Sequence, residues 1–492
     1  MENTGRIQRG LTPSARRIIF GDTADVSIDA ELETITRVDQ AHLLMLSRTG
    51  LVSGARVAAL LKTIAELRAT GFAALRGKTA VRGVYLLYEN HLISELGPDV
   101  GGVLQTGRSR NDLNATTGKL RLRAPWAALT RELLRLQAVL LARGRRFQDV
   151  VMPAYTHTQA AVPVTYGHYL TGLAHCLQRD VDALLSLRST FAVCPLGAGA
   201  VGGTSMPIDA GLTAALLGFS LPAPHSMDAV ASRDLALRLL SALAVYGVTL
   251  SRFATDFQEW STAEFGFLDF PDELVGSSSM MPQKRNPFLL EHIQGRSASA
   301  LGGFVRAATA MHATHFTNTI AVGTEGVAPV RGVLEDMRTA TVLARLCVFG
   351  ARPNAEAMLR SAERGFTTAT ELANRLVHAG VPFRSAHHQV GTLVREALAA
   401  GQGSLAAVVA SEHGDALPAG ARVGLDAASV AHASSFGGGS GATSREAGSQ
   451  LLAQTWRAQL KLRHDIVAGW RTADAELSAA VAQHLRSFGE QT

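Results

Sequence analysis

Residues 276–287 read GSSSMMPQKRNP, a stretch with three hydroxyls, two prolines and one lysine but neither helical nor strand periodicity. Composition alone describes a polar surface turn ahead of a helix, with Asn286 as N-cap and Pro287 at the first helical position. Two features argue for more. Met280 and Met281 are too apolar for an exposed tip, and Lys284 is one of only five lysines (with Lys62, Lys78, Lys119 and Lys461) among 47 basic residues. A chain that uses Arg almost wherever a cation will do keeps Lys where a compact point charge matters. A loop of hydroxyls around such a charge is suited to closing over a site.

The elements that must position this loop read as helices. Apolar residues recur at helical spacing in Asp39–Leu46 and Ser53–Arg68, and the same pattern returns in Arg131–Arg146 and Tyr169–Leu187. Asp234–Trp260 is the clearest: Leu235, Leu239, Ala242, Tyr246, Leu250, Phe253 and Phe257 step by three or four throughout. Faces this long exceed what one slim bundle can bury, so they predict association with like helices of other subunits. No strand alternation predicts a sheet. Gly-rich breaks fall at Pro195–Gly203 (PLGAGAVGG) and Gly437–Gly441 (GGGSG). They resemble phosphate cradles but lack a preceding strand and the Lys-Ser/Thr ending, which excludes a P-loop. The expected division is an N-terminal mostly helical domain over 1–113, a long-helix bundle over 114–365 and a small helical domain over 366–492.

Composition narrows the function classes. No 18-residue apolar run is free of charge, so no membrane span is expected. The N-terminal stretch carries Arg without the apolar core of a secretory signal, and Glu2, Asp22 and Asp25 interrupt a mitochondrial-type presequence. Cys176, Cys194 and Cys347 are isolated from one another and from His pairs. That argues against a disulfide frame or zinc site, fits a reducing, cytoplasmic setting, and reads the three as buried apolar fillers. The net charge of +6 comes without a long basic run or an RNA-binding aromatic string, so nucleic acid is not an expected partner. A mild positive balance instead suits a small substrate bearing several carboxylates. No metal or organic cofactor is indicated.

The loop also carries a specific resemblance. It is similar to the fumarase/aspartase superfamily signature G-S-S-x-M-P-x-K-x-N, which aligns on Ser278, Ser279, Met281, Pro282, Lys284 and Asn286, with Ser277 where the family has Gly. TGRSRND (106–112) and YTHTQ (155–159) resemble phrases of the argininosuccinate lyases. The likeness continues through PLGAGAVGGTSMPID (195–209), SMDAVASRD (226–234), EWSTAEFGF (259–267) and FTTATELANRLVHAGVPFRSAHH (366–388). The resemblance implies an all-α, three-domain fold with a long central helical bundle. It also implies a homotetramer whose active sites each draw on three subunits, and amino-acid chemistry of the arginine-biosynthesis kind.

The implied reaction removes a proton beside a carboxylate and expels nitrogen from the next carbon, releasing fumarate. Negative charge then concentrates in an aci-carboxylate, which the site must stabilise. Arg110 offers a fork of donors and Asn111 a fixed amide for carboxylates, while Lys284 suits the developing dianion. By resemblance Ser278 is the base, Thr156 and His157 bind substrate and assist proton transfer, and Glu291 orients a histidine, with His157 as its expected partner. Ser279, Asn286 and Asn318 match substrate-binding positions. His387 and His388, in a helix with apolar neighbours, read as structural. A serine is too weak a base unaided and needs nearby positive charge and loop closure. The group that protonates the leaving nitrogen stays open.

The departures lie elsewhere. The family's E-D-x-H aligns with Arg82-Gly83-Val84-Tyr85, its His before TGRSRND with Gln105, and its D-x-x-G-S with Ile35–Asp39. The segment that grips the arginine end of the substrate, Y-N-x-D-x-Q-E, aligns with TNTIAVGT (317–324), where Asn318 alone of the grip survives. Three readings follow: a lyase for an N-succinyl amine or amidine other than, or besides, argininosuccinate; argininosuccinate lyase with a divergent pocket; or a catalytically silent structural or regulatory member.

Overall fold

The computed structural model describes residues 11–20, 28–78, 83–409 and 417–488. Arg82, and most of the N-terminal stretch read for targeting with Glu2, Asp22 and Asp25, lie outside the described residues.

Five long helices form the body: Arg110–Arg146, Tyr166–Ser186, Asp234–Trp260, Phe288–Met311 and Pro329–Gly350. Each is joined to the next by a connection that reverses the chain, so they alternate up and down, as bundles with antiparallel neighbours do. Their inward faces make one continuous core, with Leu133, Leu239, Leu243, Tyr246, Ile293 and Met337 fully or almost fully buried. The helix expected over Arg131–Arg146 begins 21 residues earlier than its periodicity announces, at Arg110, and runs through Pro125. A proline inside a helix costs about 3 kcal/mol. Burial of Trp126, Leu129 and Leu133 immediately after it holds the two halves together.

Helix Asp234–Trp260 has the expected bounds and is long and apolar enough to cross a membrane by composition alone. Half of its most apolar window is nonetheless buried within the bundle. On its other side Val245 and Val248 are more than half exposed, as are Leu301 and Val305 on the Phe288–Met311 helix.

A second core gathers Asp29–Arg48, Gly54–Ala69 and Val84–Leu96, and a third covers Phe366 to Leu425. The last helix, Ala442–Phe488, belongs to the first two cores. Leu452, Trp456, Ile466 and Trp470 pack on the bundle, then Leu477, Val481 and Leu485 on the N-terminal helices.

The expectation of no sheet needs correction. Val151–Thr156 and Gln159–Thr165 form an antiparallel hairpin, and three two-residue pairings accompany it. Alternation is hidden because Val151, Met152 and Pro153 are buried in succession at the end of the bundle. Cys194 and Cys347 are buried as expected, whereas Cys176 is half-buried and accepts a hydrogen bond from Arg179 at 3.2 Å. His387 and His388 are exposed on their helix, with the His387 ring 6.2 Å from that of Phe383.

Candidate active site

The loop bearing Ser278 is tied at its base. Gly276 pairs with Asn286 and Ser277 with Arg285 in a short antiparallel ladder. Arg285 anchors that ladder to Asp272 at 3.0 Å and Asp269 at 3.4 Å. Asn286 is therefore a strand residue rather than the N-cap; Pro287 occupies that position and the helix starts at Phe288. Ser277 lies in extended backbone, so the serine in place of the family's glycine meets no left-handed conformation.

Within the loop the Ser278 Oγ accepts hydrogen bonds from the backbone N–H of Met281 at 3.0 Å and of Met280 at 3.3 Å. The turn is closed by the Lys284 N–H, which donates to the Met281 carbonyl at 3.1 Å. Ser279, Lys284 and Glu291 are exposed, and so is Met280, at 87%. The apolar tip expected to be covered is open in the single chain.

Thr156 and His157 sit at the tip of the 151–165 hairpin. His157 and Thr158 are the two turn residues, with φ of 51° and 59°. A two-residue hairpin turn with both centres in the left-handed region matches the twist of the strands but normally employs Asn and Gly. Two side-chain-bearing residues there carry strain, which is the kind of cost found where a side chain has a task. Tyr155 secures the strand below, its ring 6.1 Å from that of Phe265.

A third group forms where the Arg110–Arg146 helix begins. Ser109 caps it, its Oγ accepting from the Asn111 N–H at 3.2 Å while the Asp112 carboxylate accepts from the Ser109 N–H at 3.0 Å. The other Asp112 oxygen takes the N–H groups of Gly197 at 3.0 Å and Gly199 at 2.9 Å. One fully buried carboxylate thus locks the Gly-rich loop onto the helix start that presents Arg110 and Asn111. Gly199 is needed there: its φ is 60° and a Cβ would lie 2.4 Å from the Gly203 carbonyl. Asn318 donates to the Asn111 side chain at 3.0 Å, the Asn111 amide reaches the Ala200 carbonyl at 3.4 Å, and Arg233 reaches the Asn111 carbonyl at 3.4 Å. Burial pulls the Arg233 pKa down to about 10, and its Nε has no partner. The spacing S-R-N-D is a capping-box signature that sequence reading could have found. Nothing in the sequence marks Arg233 apart from other arginines.

The groups are not all at one end. Ser278, Lys284 and Glu291 flank the start of the Phe288–Met311 helix, whereas Asn318 follows its end. A helix of 24 residues is about 36 Å long. Asn111 sits with Asn318 at the far end. Among the described residues no hydrogen bond or ion pair joins the Ser278 loop, the His157 turn and the Asn111 group, and Glu291 does not meet His157 within the chain.

The chain is similar to known proteins over most of its length. A family described as "Lyase" matches residues 75–302, and one described as "Argininosuccinate lyase C-terminal" matches 366–413. Argininosuccinate lyase of Methylococcus capsulatus is 37% identical over 381 residues, covering 76% of this chain and 80% of the relative. That of Methanoculleus marisnigri is 39% identical over 359 residues, 73% of each chain. The chain belongs to the argininosuccinate lyase family. Among solved structures, an EDDS lyase in complex with formate overlays with a TM-score of 0.86 at 26% identity, covering 100% of this chain and 99% of that one. A variant of EDDS lyase has been solved with bound fumarate. The protein is an all-α carbon–nitrogen lyase that releases fumarate.

Its departures from the argininosuccinate lyase pattern take physical form around Arg108. Asp39, at a position aligned with a substrate-binding serine, is fully buried and pairs with Arg108 at 2.6 Å, and the Tyr85 hydroxyl accepts from Arg108 at 3.2 Å. Asp39 thus contacts Arg108 and is closed to solvent. Burial pushes the Asp39 carboxyl upward and opposes the Arg108 charge, but Asp39 and Tyr85 more than restore that charge and keep Arg108 protonated. Beside the same cluster the Glu89 carboxylate accepts from the Tyr85 hydroxyl at 3.3 Å, and the Gln105 Oε1 is buried without a partner among the described residues. In the segment aligned with the family's arginine grip, Ala321–Glu325 forms a π-helical turn, and Phe316 and Ile320, on either side of Asn318, are 62% and 70% exposed.

Proposed function

We propose that this lyase eliminates fumarate from an N-succinyl amine or amidine by carbanion chemistry, with Ser278 as the base and with a leaving group other than the arginine of argininosuccinate. The observation that carries the mechanism is the pair of backbone N–H groups aimed at the Ser278 Oγ. Hydrogen bonds from fixed amides favour a negatively charged oxygen, and exclusion of water on loop closure strengthens them. Ser278 takes the proton from the carbon beside the carboxylate, and Lys284 balances the charge that spreads into that carboxylate. Arg110, Asn111 and Asn318 hold the substrate carboxylates, joined by Thr156, Ser279 and Asn286. Glu291 orients His157 for proton transfer. As the carbon–nitrogen bond breaks, its electron pair leaves with nitrogen, which is protonated as the amine or amidine departs.

A site needing both ends of a bundle about 36 Å long must draw on more than one chain. We infer a homotetramer in which the Ser278 loop, the His157 turn and the Asn111 group come from different copies. The exposed Val245, Val248, Leu301 and Val305 are the apolar surface suited to that contact.

The leaving-group reading rests on Phe316 and Ile320 standing open beside Asn318 where a guanidinium would need hydrogen-bond partners. A site without those partners discriminates strongly against the polar group. The EDDS lyase structures support it too, since a protein of this fold acts on a substrate other than argininosuccinate. The test is fumarate absorbance in the ultraviolet as protein meets argininosuccinate, with Ser278→Ala alongside. A flat trace, with fumarate consumed in the reverse direction on adding amines, supports the proposal. A steady rise lost in the variant assigns argininosuccinate lyase activity, hence a role in arginine biosynthesis, and overturns the leaving-group reading. A protein inactive in both directions at every amine is a silent member.

A further inference from the structure

Behind the Ser278 loop lies a cleft of about 420 Å³ that the reaction leaves unused. Arg143, Arg146 and Phe147 line it from the end of the Arg110–Arg146 helix, Phe349 from the end of Pro329–Gly350, and Arg352 from the strand beyond. Leu274, two residues before the loop's ladder, closes the floor against Gly350, whose missing Cβ would lie 2.3 Å from it. Volumes of 300–1,000 Å³ are those of small-molecule sites.

Charge in the cleft is unbalanced. Among the described residues none of the three arginines forms an ion pair. Arg143 donates to the Ala351 carbonyl and stacks on Phe147 at 4.4 Å, with Arg146 5.6 Å from the same ring. Its Nε is buried without a partner. Two helix C-termini end here, worth together about one negative charge. Three guanidiniums outnumber them, and the nearby acids Asp269, across the strands from Arg352, and Asp272 are engaged by Arg285. Burial lowers the Arg143 pKa, against an opposing pull from Tyr166, and the neighbouring Arg146 adds to the lowering.

We propose that this cleft is a binding site for a small organic dianion with an apolar body, held by Arg143, Arg146 and Arg352 between Phe147 and Phe349. A dicarboxylate and a phosphomonoester share that chemistry. Either would bridge the ends of two bundle helices to the floor from which the Ser278 loop rises.

Calorimetric titration with phthalate and, separately, phenyl phosphate tests the site on the full chain. At least one is expected to bind, and the stronger of the two names the anion class. The double variant Arg146→Ala/Arg352→Ala should weaken that binding at least tenfold with unchanged circular dichroism and solution mass. Lys284→Ala should leave it unchanged, which separates this cleft from the carboxylate site of the proposed reaction. Binding by neither probe, or binding lost with Lys284→Ala but kept in the double variant, overturns the proposal. So does a fall in solution mass of the double variant, since the cleft would then be a contact between copies.

Discussion

The Asn318 side-chain amide donates to the side-chain oxygen of Asn111 at 3.0 Å, linking the start of the first bundle helix to the segment that follows the fourth. That bond fixes which way the Asn111 amide points: its oxygen is occupied and its NH2 faces the Gly-rich loop, where under the proposed function it donates to a substrate carboxylate. Asn318→Ala frees the Asn111 amide to flip, and loss of one oriented hydrogen bond to a charged group costs about 1.5–3 kcal/mol. Fumarate affinity measured by calorimetry should fall roughly 10- to 150-fold, following that same range. An affinity within twofold of the parent would mean that Asn111 is oriented by Ala200 alone.

The Asp39–Arg108 pair is closed to solvent at both ends. Asp39→Ala leaves a buried guanidinium that keeps the Tyr85 hydroxyl as a hydrogen-bond partner and feels Glu89 and Asp112 only from further off, and breaking one side of such a pair costs about 3–5 kcal/mol. Thermal unfolding should shift down by several degrees. Adding Arg108→Met should recover much of the loss, because removing both charges is far cheaper than stranding one. A double variant no better than Asp39→Ala alone would show that Arg108 holds the 106–112 segment by shape and not by charge.

How much of this was readable from sequence depends on where the information resides. The Asp234–Trp260 helix was legible to the residue because its apolar stripe runs unbroken from Leu235 to Phe257. The first bundle helix was legible only in its second half. Pro125 and the polar run from Arg110 to Arg123 hide a segment whose helicity comes from tertiary burial. The 151–165 hairpin was missed for the related reason that its buried end interrupts alternation. In the candidate site, the Ser278 loop and Asn111 announced themselves by motif, and Asp112 left a capping signature. The Asp39–Arg108–Tyr85 cluster did not, since its members are up to 69 positions apart and only the fold brings them together. The distance between the two halves of the site is likewise a property of helix length and direction, which no local pattern displays.

Thr158 occupies the second left-handed position of the 156–159 turn, with φ at 59° and its hydroxyl turned back onto the His157 carbonyl at 2.6 Å. A β-branched residue there is strained by about 1 kcal/mol or more, and glycine removes that strain. Thr158→Gly should raise the melting temperature by a degree or two if the turn is a matter of stability alone. Under the proposed role for His157, the same change loosens the imidazole, so kcat should fall several-fold while KM holds. A variant with full kcat would show that the strain at this tip serves no catalytic purpose.

Asp180 offers a pH test of the bundle itself. It is 6% exposed in the Tyr166–Ser186 helix, and one of its carboxylate oxygens is buried without a partner. Burial pushes its pKa up to about 6, against the smaller opposing pulls of the Thr249 hydroxyl and Arg179. The unfolded chain returns it to about 3.9. Because the folded state holds the proton more tightly, the contribution is fully present below about pH 4, is lost as pH rises through 6, and is constant above. Two pKa units correspond to about 3 kcal/mol, an upper bound once water penetration is allowed for. Asp180→Asn keeps the shape and removes the charge, so it should stabilise the protein above pH 6 by roughly 1–3 kcal/mol and have no effect near pH 4. Melting curves of parent and variant at pH 4, 5, 6 and 7.5 would show the two converging at the acid end. Parallel curves at every pH would place the Asp180 effect in packing against Thr249, with ionisation playing no part.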